Sequence, residues 1–298
     1  MRTLAKSPRA WVTDKLTVAF FIGPAMLLFT AFVLIPIILA VYFSLHDWNG
    51  ISIHYNYIGA QNYLNVFTER AFLRSFRFTF SFMAVSALLL NLFGLLVALA
   101  LNARLKARTL LRGAYFMPLV ISSVVVGYLW NIIIVRLFPY LGEMLGIPLL
   151  VKNWFSYPDT AFASLIIATL WQNFGYYMLL YLTGLQSVPH ELLEAAAIDG
   201  AGSVQRFFRV AVPMMRPTFT TCVFLSIISG LKAFDLAYSL TSGGPFGSTT
   251  SIALQIYLDA FKRDLLSYGS AKAIIFCLII VLISFLQVGV MRRKEVEA

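Results

Sequence analysis

Charge is scarce in this chain. Of its 298 residues only 12% are Asp, Glu, Lys or Arg, while 60% are apolar, and a water-soluble domain typically carries about twice that charged share. That excludes a soluble globule and places most of the chain in a bilayer. Cysteine is scarce too: Cys222 and Cys277 both lie inside apolar runs, which leaves no basis for a disulfide framework. His46, His54 and His190 have no Cys, His or carboxylate neighbours at metal-ligand spacing, and no Ser/His/Asp grouping accompanies a nucleophile turn. A Gly-x-x-x-x-Gly-Lys-Ser/Thr phosphate loop is missing, so nothing here is equipped to hold ATP. The chain is therefore expected to have no catalytic residue, no metal site and no resident cofactor. Low-complexity tracts, a solvated domain and internal repeats are also absent, which argues against an ion-coupled secondary transporter built from inverted repeats.

What the chain does have is apolar length. Runs of at least about 20 residues, enough to cross a hydrocarbon core, fall near 16–45, 78–101, 111–134, 161–185, 218–240 and 271–291. Backbone polar groups in lipid must be satisfied within their own segment, so these runs predict an all-α, polytopic membrane protein with about six transmembrane helices. Pro24, Pro36 and Pro118 are read as kinks within spans. The net charge of +10 would suggest nucleic acid in a soluble protein, but here the basic residues flank apolar runs and mark topology instead. Arg104, Lys106, Arg108 and Arg112 crowd one connection, Arg206, Arg209 and Arg216 another, and Arg292, Arg293 and Lys294 follow the last run. With an even number of spans all of these share one side with the basic N-terminus, which the positive-inside rule makes cytoplasmic. The expected organisation is a cytoplasmic segment 1–15, a membrane domain 16–291 and a cytoplasmic tail 292–298. The first run is longer than the roughly 7–15 residues of a signal core and no small-residue cleavage site follows it, so it reads as an uncleaved span. The outer connection 46–77 carries Trp48, Tyr57 and Tyr63, residues suited to the membrane interface. The connection 135–160, rich in Gly, Pro and aromatics, predicts a lid-like or re-entrant loop.

One polar segment, 186–217, lies between two apolar runs and still has the makings of folded structure. Ser187 is expected to cap a helix whose first turn holds Pro189, Glu191 and Glu194. Ala195, Ala196 and Ala197 favour that helix, and Gly200 is suited to the left-handed conformation that ends it. A second helix is expected from Ser203 through Phe207 and Phe208 to a stop at Pro213. The alanines let another surface approach closely, and Glu194 and Asp199 offer fixed charges, which describes a docking element. A helix lying on lipid headgroups, anchored by phenylalanine and arginine, fits the same residues.

Polar groups inside spans are costly in lipid and so tend to face a cavity or another helix. Thr169, Gln172, Asn173 and Tyr176 recur at spacings of three and four beside Trp171 and Phe174, forming one helical stripe. Amides bond sugar hydroxyls and flat rings cover a pyranose face; amides also join helix to helix. Both readings stand. Further on, Ser226, Ser229 and Lys232 precede Phe234 and Asp235, and the three-residue spacing lets Lys232 and Asp235 pair on one helix face or serve a cavity; both lie toward the outer end of the run, where snorkelling alone could satisfy Lys232.

A resemblance separates the docking reading from the headgroup reading. Glu194-Ala195-Ala196, then Asp199-Gly200-Ala201, Phe207 and Phe208, Val210-Ala211-Val212-Pro213 and Pro217 resemble the EAA loop of binding-protein-dependent ABC importer permeases. Trp171, Gly184-Leu185-Gln186-Ser187-Val188-Pro189, Phe234-Asp235, Leu240-Thr241 and Gly243-Gly244-Pro245 are similar to its carbohydrate-uptake branch, the maltose and glycerol-phosphate types. The resemblance implies a type I ABC importer permease fold in the inner membrane. It implies coupling to an ATPase through Glu194, Ala195, Ala196, Asp199, Gly200, Ala201, Phe207 and Pro213. It also implies a substrate site that draws on Thr169, Gln172, Asn173, Tyr176, Ser226, Ser229 and Lys232. The implied cargo is a sugar, an oligosaccharide in the main reading, with a glycerol phosphate or polyol as the alternative. The implied partners are a second homologous permease, two ATPase subunits that bind ATP and Mg, an extracytoplasmic sugar-binding protein and membrane lipid, with no nucleic acid.

Overall fold

The computed structural model describes residues 20–103 and 107–292; the segment 1–15, Arg104 and Lys106 of the basic connection, and the tail from 293 lie outside the described residues. Apolar composition makes most of the described chain helical. In order, the elements are α1 (Phe20–Ser44), a two-residue ladder of β1 (His46–Asp47) with β2 (Asn56–Tyr57), α2 (Gln61–Thr68), α3 (Arg70–Asn102) and α4 (Arg108–Phe116). After these come α5 (Ser123–Leu145), the single turn α6 (Pro148–Val151), α7 (Pro158–Gln186), α8 (His190–Ile198) and α9 (Ser203–Met214). The chain ends with α10 (Arg216–Leu231), α11 (Asp235–Thr241), α12 (Ile252–Tyr257) and α13 (Leu266–Arg292). Five helices are long and apolar enough to cross a membrane, or six if α9 and α10, which meet at 72°, count as one broken span.

Two expected spans are divided. The run 111–134 does not form one kinked helix, because Pro118 marks an end. Its ring removes a backbone N–H and restricts the preceding residue, so α4 passes into a 3₁₀ turn at Met117–Val120. The spanning helix starts afresh at Ser123 and runs on to Leu145, where Gly146 closes it at φ 65°. Much of the expected loop 135–160 is therefore helix, and the connection shrinks to the residues around α6 and a short 3₁₀ turn at Trp154–Ser156. The run 218–240 divides as well. Helix α10 ends at Leu231, Phe234 takes a non-helical conformation (φ −127°, ψ −63°), and α11 starts at Asp235.

The chain forms two compact units. Of the described residues, the smaller comprises those up to Val66 together with Asp259–Ile274. Within it, Asn62 Nδ2 donates to the Ser44 and His46 carbonyls at 2.8 and 3.0 Å, tying the end of α1 to α2. Lys272, fully buried, donates to Asp259 Oδ2 at 2.5 Å and lies 4.3 Å from the centre of the Tyr268 ring. Arg263 donates to the other carboxylate oxygen at 2.6 Å.

The larger unit comprises the described residues of Phe67–Leu258 and those from Ile275 onward. Helix α3 runs along both α7 and α10, and α11 packs on α5. At the α3–α10 crossing a methyl group on Gly230 would stand 2.7 Å from the Met83 Cα, so only glycine lets these backbones meet. Gly230→Val is expected to destabilise this unit by about 1–3 kcal/mol through overpacking, read as a lower melting temperature and poorer yield of the purified protein. Below that crossing Asn91 joins three helices: its Nδ2 donates to Ser226 Oγ at 2.8 Å, and its Oδ1 accepts from the Tyr181 hydroxyl at 2.6 Å. Cys222 and Cys277 are both free thiols.

Candidate functional site

Two places in the larger unit have the character of a site. The first is the α8–α9 segment. Ser187 does not cap α8; its hydroxyl donates to the Gly184 carbonyl at 2.8 Å and its N–H closes α7, so it belongs to the preceding helix. Pro189 stands at the N-cap of α8 instead, where its missing N–H costs nothing. The other end follows the sequence closely. Gly200 sits at φ 83°, its N–H bonds the Ala197 carbonyl at 3.1 Å, and the Ala201 N–H reaches back to Ala196 at 2.9 Å. Those two bonds make a Schellman motif, which satisfies the carbonyls left over at the end of a helix. Helix α9 contains a π turn at Phe207–Ala211 and carries Pro213 in its last turn before the 72° bend into α10.

What sets α8 apart is its exposure. None of its residues is buried, and Ile198 is 87% exposed beside exposed Glu194, Ala195 and Asp199. Nine residues are too few to hold a helix in water by propensity alone, so the Schellman turn at its C-terminal end supports it while its surface stays open. Phe207 is half-buried and lines a cavity of about 210 Å³ with Leu193, Arg206 and Ala211, which roots the segment in the helical core.

The second place is a cavity of about 320 Å³ at the break between α10 and α11. Thr169, Gln172 and Asn173 line it from α7, Ser229 and Lys232 from the end of α10, and Asp235 from the start of α11. Gln172, 4% exposed, donates from Nε2 to the Ile121 carbonyl at 2.8 Å, and so satisfies an acceptor freed by the break in the third apolar run. Asn173 Nδ2 donates to the Thr169 carbonyl at 3.0 Å. Tyr176 and Ser226 do not line the cavity. Tyr176 sits one turn too far along α7, its ring 5.5 Å from that of Tyr177, and Ser226 is fully buried in the Asn91 junction.

The aromatic wall also differs from the expected one. Trp171 packs edge-on to Trp130 at 6.0 Å and Phe174 against Tyr115 at 5.5 Å, whereas Phe78, Phe82 and Phe234 line the cavity. On α7 the cavity face reads Leu165, Thr169, Gln172 and Asn173, at offsets of four, seven and eight, and positions 171 and 174 fall on other faces. The break at 232–234 also separates Lys232 from Asp235. They no longer share a helix, both are exposed, and no ion pair joins them among the described residues. The sequence reading missed Phe78, Phe82 and Ser86 of α3, which line the cavity, and Asn91, which joins the three helices beside it. Ser86 and Asn91 were detectable as polar interruptions of an apolar run, while the phenylalanines carried no signal.

Membrane-length helices, a cavity lined by hydroxyls, amides, two charged side chains and phenyl rings at the break after α10, and an open helix closed by a Schellman turn are the features of a polytopic membrane transport subunit. Among the described residues no group of three or more His, Cys, Asp or Glu is suited to a metal. The family model for the binding-protein-dependent transport system inner membrane component matches residues 90–296, and the chain belongs to that family. One relative is described as a probable starch degradation products transport system permease protein, AmyD of Thermoanaerobacterium thermosulfurigenes. It is 37% identical over 277 residues, covering 93% of this chain and 94% of that protein. The multiple sugar-binding transport system permease protein MsmF of Streptococcus mutans is 34% identical over 279 residues, covering 93% and 95%. Among solved structures, a bacterial ABC transporter involved in the import of the acidic polysaccharide alginate aligns with a TM-score of 0.83 at 19% identity, covering 96% of this chain and 99% of that one. The fold is that of ABC importer permeases.

Proposed function

We propose that this chain is the membrane-spanning permease of an ATP-driven importer that passes a sugar, in the main reading an oligosaccharide, from an extracytoplasmic binding protein to the cytoplasm. The observation that carries the coupling half is α8, a capped helix with no buried residue, held out for a partner. The partner is one of two ATPase subunits, which hold the ATP and Mg; a second homologous permease completes the pathway. The names of the relatives, for starch degradation products and for multiple sugars, support the cargo class. The cavity chemistry agrees with it: amides, hydroxyls and phenyl rings suit a ligand with many hydroxyls and an apolar ring face. Both termini and the α8–α9 segment are assigned to the cytoplasm by the basic residues that flank them.

Mechanically, closure of the ATPase pair would draw on α8 and α9. The bend at Met215 passes that movement to α10, whose far end, Ser229–Lys232, forms one wall of the cavity. ATP binding would thus open the cavity outward and hydrolysis would reset it, with two packed arrangements exchanged by the partner's differential contacts.

The test is to tag this chain, extract it gently from its native membrane, identify what co-purifies and assay ATP hydrolysis. A nucleotide-binding subunit and a second permease should be recovered, with hydrolysis rising when the binding protein and oligosaccharides are added. Recovery of the chain alone, without ATPase activity, would overturn the reading.

A further inference from the structure

We infer that Asp235 and Lys232 together read the charge of the cargo and make the cavity selective for neutral polyhydroxyl ligands over acidic ones. The inference rests on the proposal that this cavity holds a sugar. Both residues flank the helix break, both line the cavity, both are exposed, and no ion pair satisfies either among the described residues.

Two opposite charges on one cavity wall within a membrane-spanning unit would ordinarily pair, because a lone charge at membrane depth is costly. The break prevents that along the helix and leaves both residues lining the cavity. Water satisfies both heads when the cavity is empty. A neutral sugar satisfies both when it is filled, since its hydroxyls donate to the carboxylate and its oxygens accept from the ammonium, and charge-assisted bonds are about twice as strong as neutral ones. The pair sums to zero, so a neutral ligand leaves no net charge in the site. An acidic sugar is attracted by Lys232 and repelled by Asp235, so the wall leaves its negative charge uncompensated. The other cavity-lining polar groups, Ser86, Ser123, Thr169, Gln172, Asn173 and Ser229, are uncharged, so nothing else on the wall offsets that charge.

The arrangement also makes the wall switchable. Asp235→Asn keeps the size of the side chain and a residue suited to a helix start, and it makes the wall net positive. Lys232→Met keeps an unbranched side chain and makes the wall net negative.

The test is equilibrium binding of radiolabelled maltotriose, as the neutral probe, and trigalacturonate, as the acidic one, to the purified importer complex in lipid nanodiscs without binding protein. Wild type should prefer maltotriose. Asp235→Asn should move the ratio toward trigalacturonate by at least about tenfold, and Lys232→Met should move it further toward maltotriose, with complex yield unchanged in both. Unchanged ratios in both variants, while Asn173→Ala still weakens maltotriose, would overturn the charge-reading role and leave the sugar site standing. Maltotriose binding that none of these three variants alters would overturn the sugar site itself, and the charge-reading role with it.

Discussion

Gly200→Pro is expected to cost the importer nearly all of its transport while leaving the chain inserted in the membrane. Gly200 stands at φ 83° and donates to the Ala197 carbonyl. Proline fixes φ near −65° and has no N–H to donate, so it fails on both counts, at a cost of about 3 kcal/mol or more. Placed on ATPase docking, that amounts to at least ~100-fold weaker coupling. Uptake assays should show the loss, pull-down of the ATPase should show its cause, and membrane fractionation should show normal insertion. Gly200→Ala is the graded control, since alanine tolerates the left-handed region at about 1–2 kcal/mol, and it should retain partial transport. Asp199→Lys separates docking from folding. A cation at the C-terminal end of α8 suits the helix dipole, so the helix survives and only the charge shown to the partner is reversed. Normal uptake in both Gly200→Pro and Asp199→Lys would remove the docking role from this segment.

The second large effect concerns stability. Asp259 and Lys272 are 1% and 0% exposed and lie 2.5 Å apart. Removing one member of a buried ion pair leaves an uncompensated charge, typically at 3–5 kcal/mol, whereas replacing both with apolar residues is often neutral. The two single variants should differ. Lys272→Met leaves the carboxylate with Arg263, whose side chain is 54% exposed. Asp259→Leu leaves a buried ammonium without its carboxylate, in contact with the Tyr268 ring. Thermal denaturation of the purified complex should therefore rank Asp259→Leu below Lys272→Met and return the double variant close to wild type. A double variant as unstable as the worse single one would mean that the pair contributes more than mutual compensation.

How much of this was legible beforehand depended on whether the signal was local. The Gly200 turn is local, since a glycine after an alanine helix has few alternatives, and the structure places the turn at that residue. Apolar composition likewise fixed the all-helical class. The break after Val120 was hidden because a proline between apolar residues looks the same in a kinked span as in an ended one. What decides between them is a distant acceptor–donor pair, the Ile121 carbonyl and Gln172. The break at Lys232–Phe234 was hidden for a related reason: the apolar run continues across it to Leu240. Tyr176 followed the stripe spacing and still missed the cavity, because spacing defines a face and not how far along the helix the cavity extends. Lys272 carries no signal as a buried, paired charge because its partner lies 13 positions earlier, beyond the reach of any helical periodicity.

The bend at Met215 can also be viewed as a bell crank. Helix α9 has 12 residues and α10 has 16, so at 1.5 Å per residue the two arms measure roughly 18 and 24 Å. Pro213 and Pro217 flank the pivot and stiffen it. If the two arms turn as one body, the far end moves only about a third further than the near end, a gearing close to one. Such a crank redirects a stroke without magnifying it, so the ATPase must itself move about as far as the cavity wall has to open.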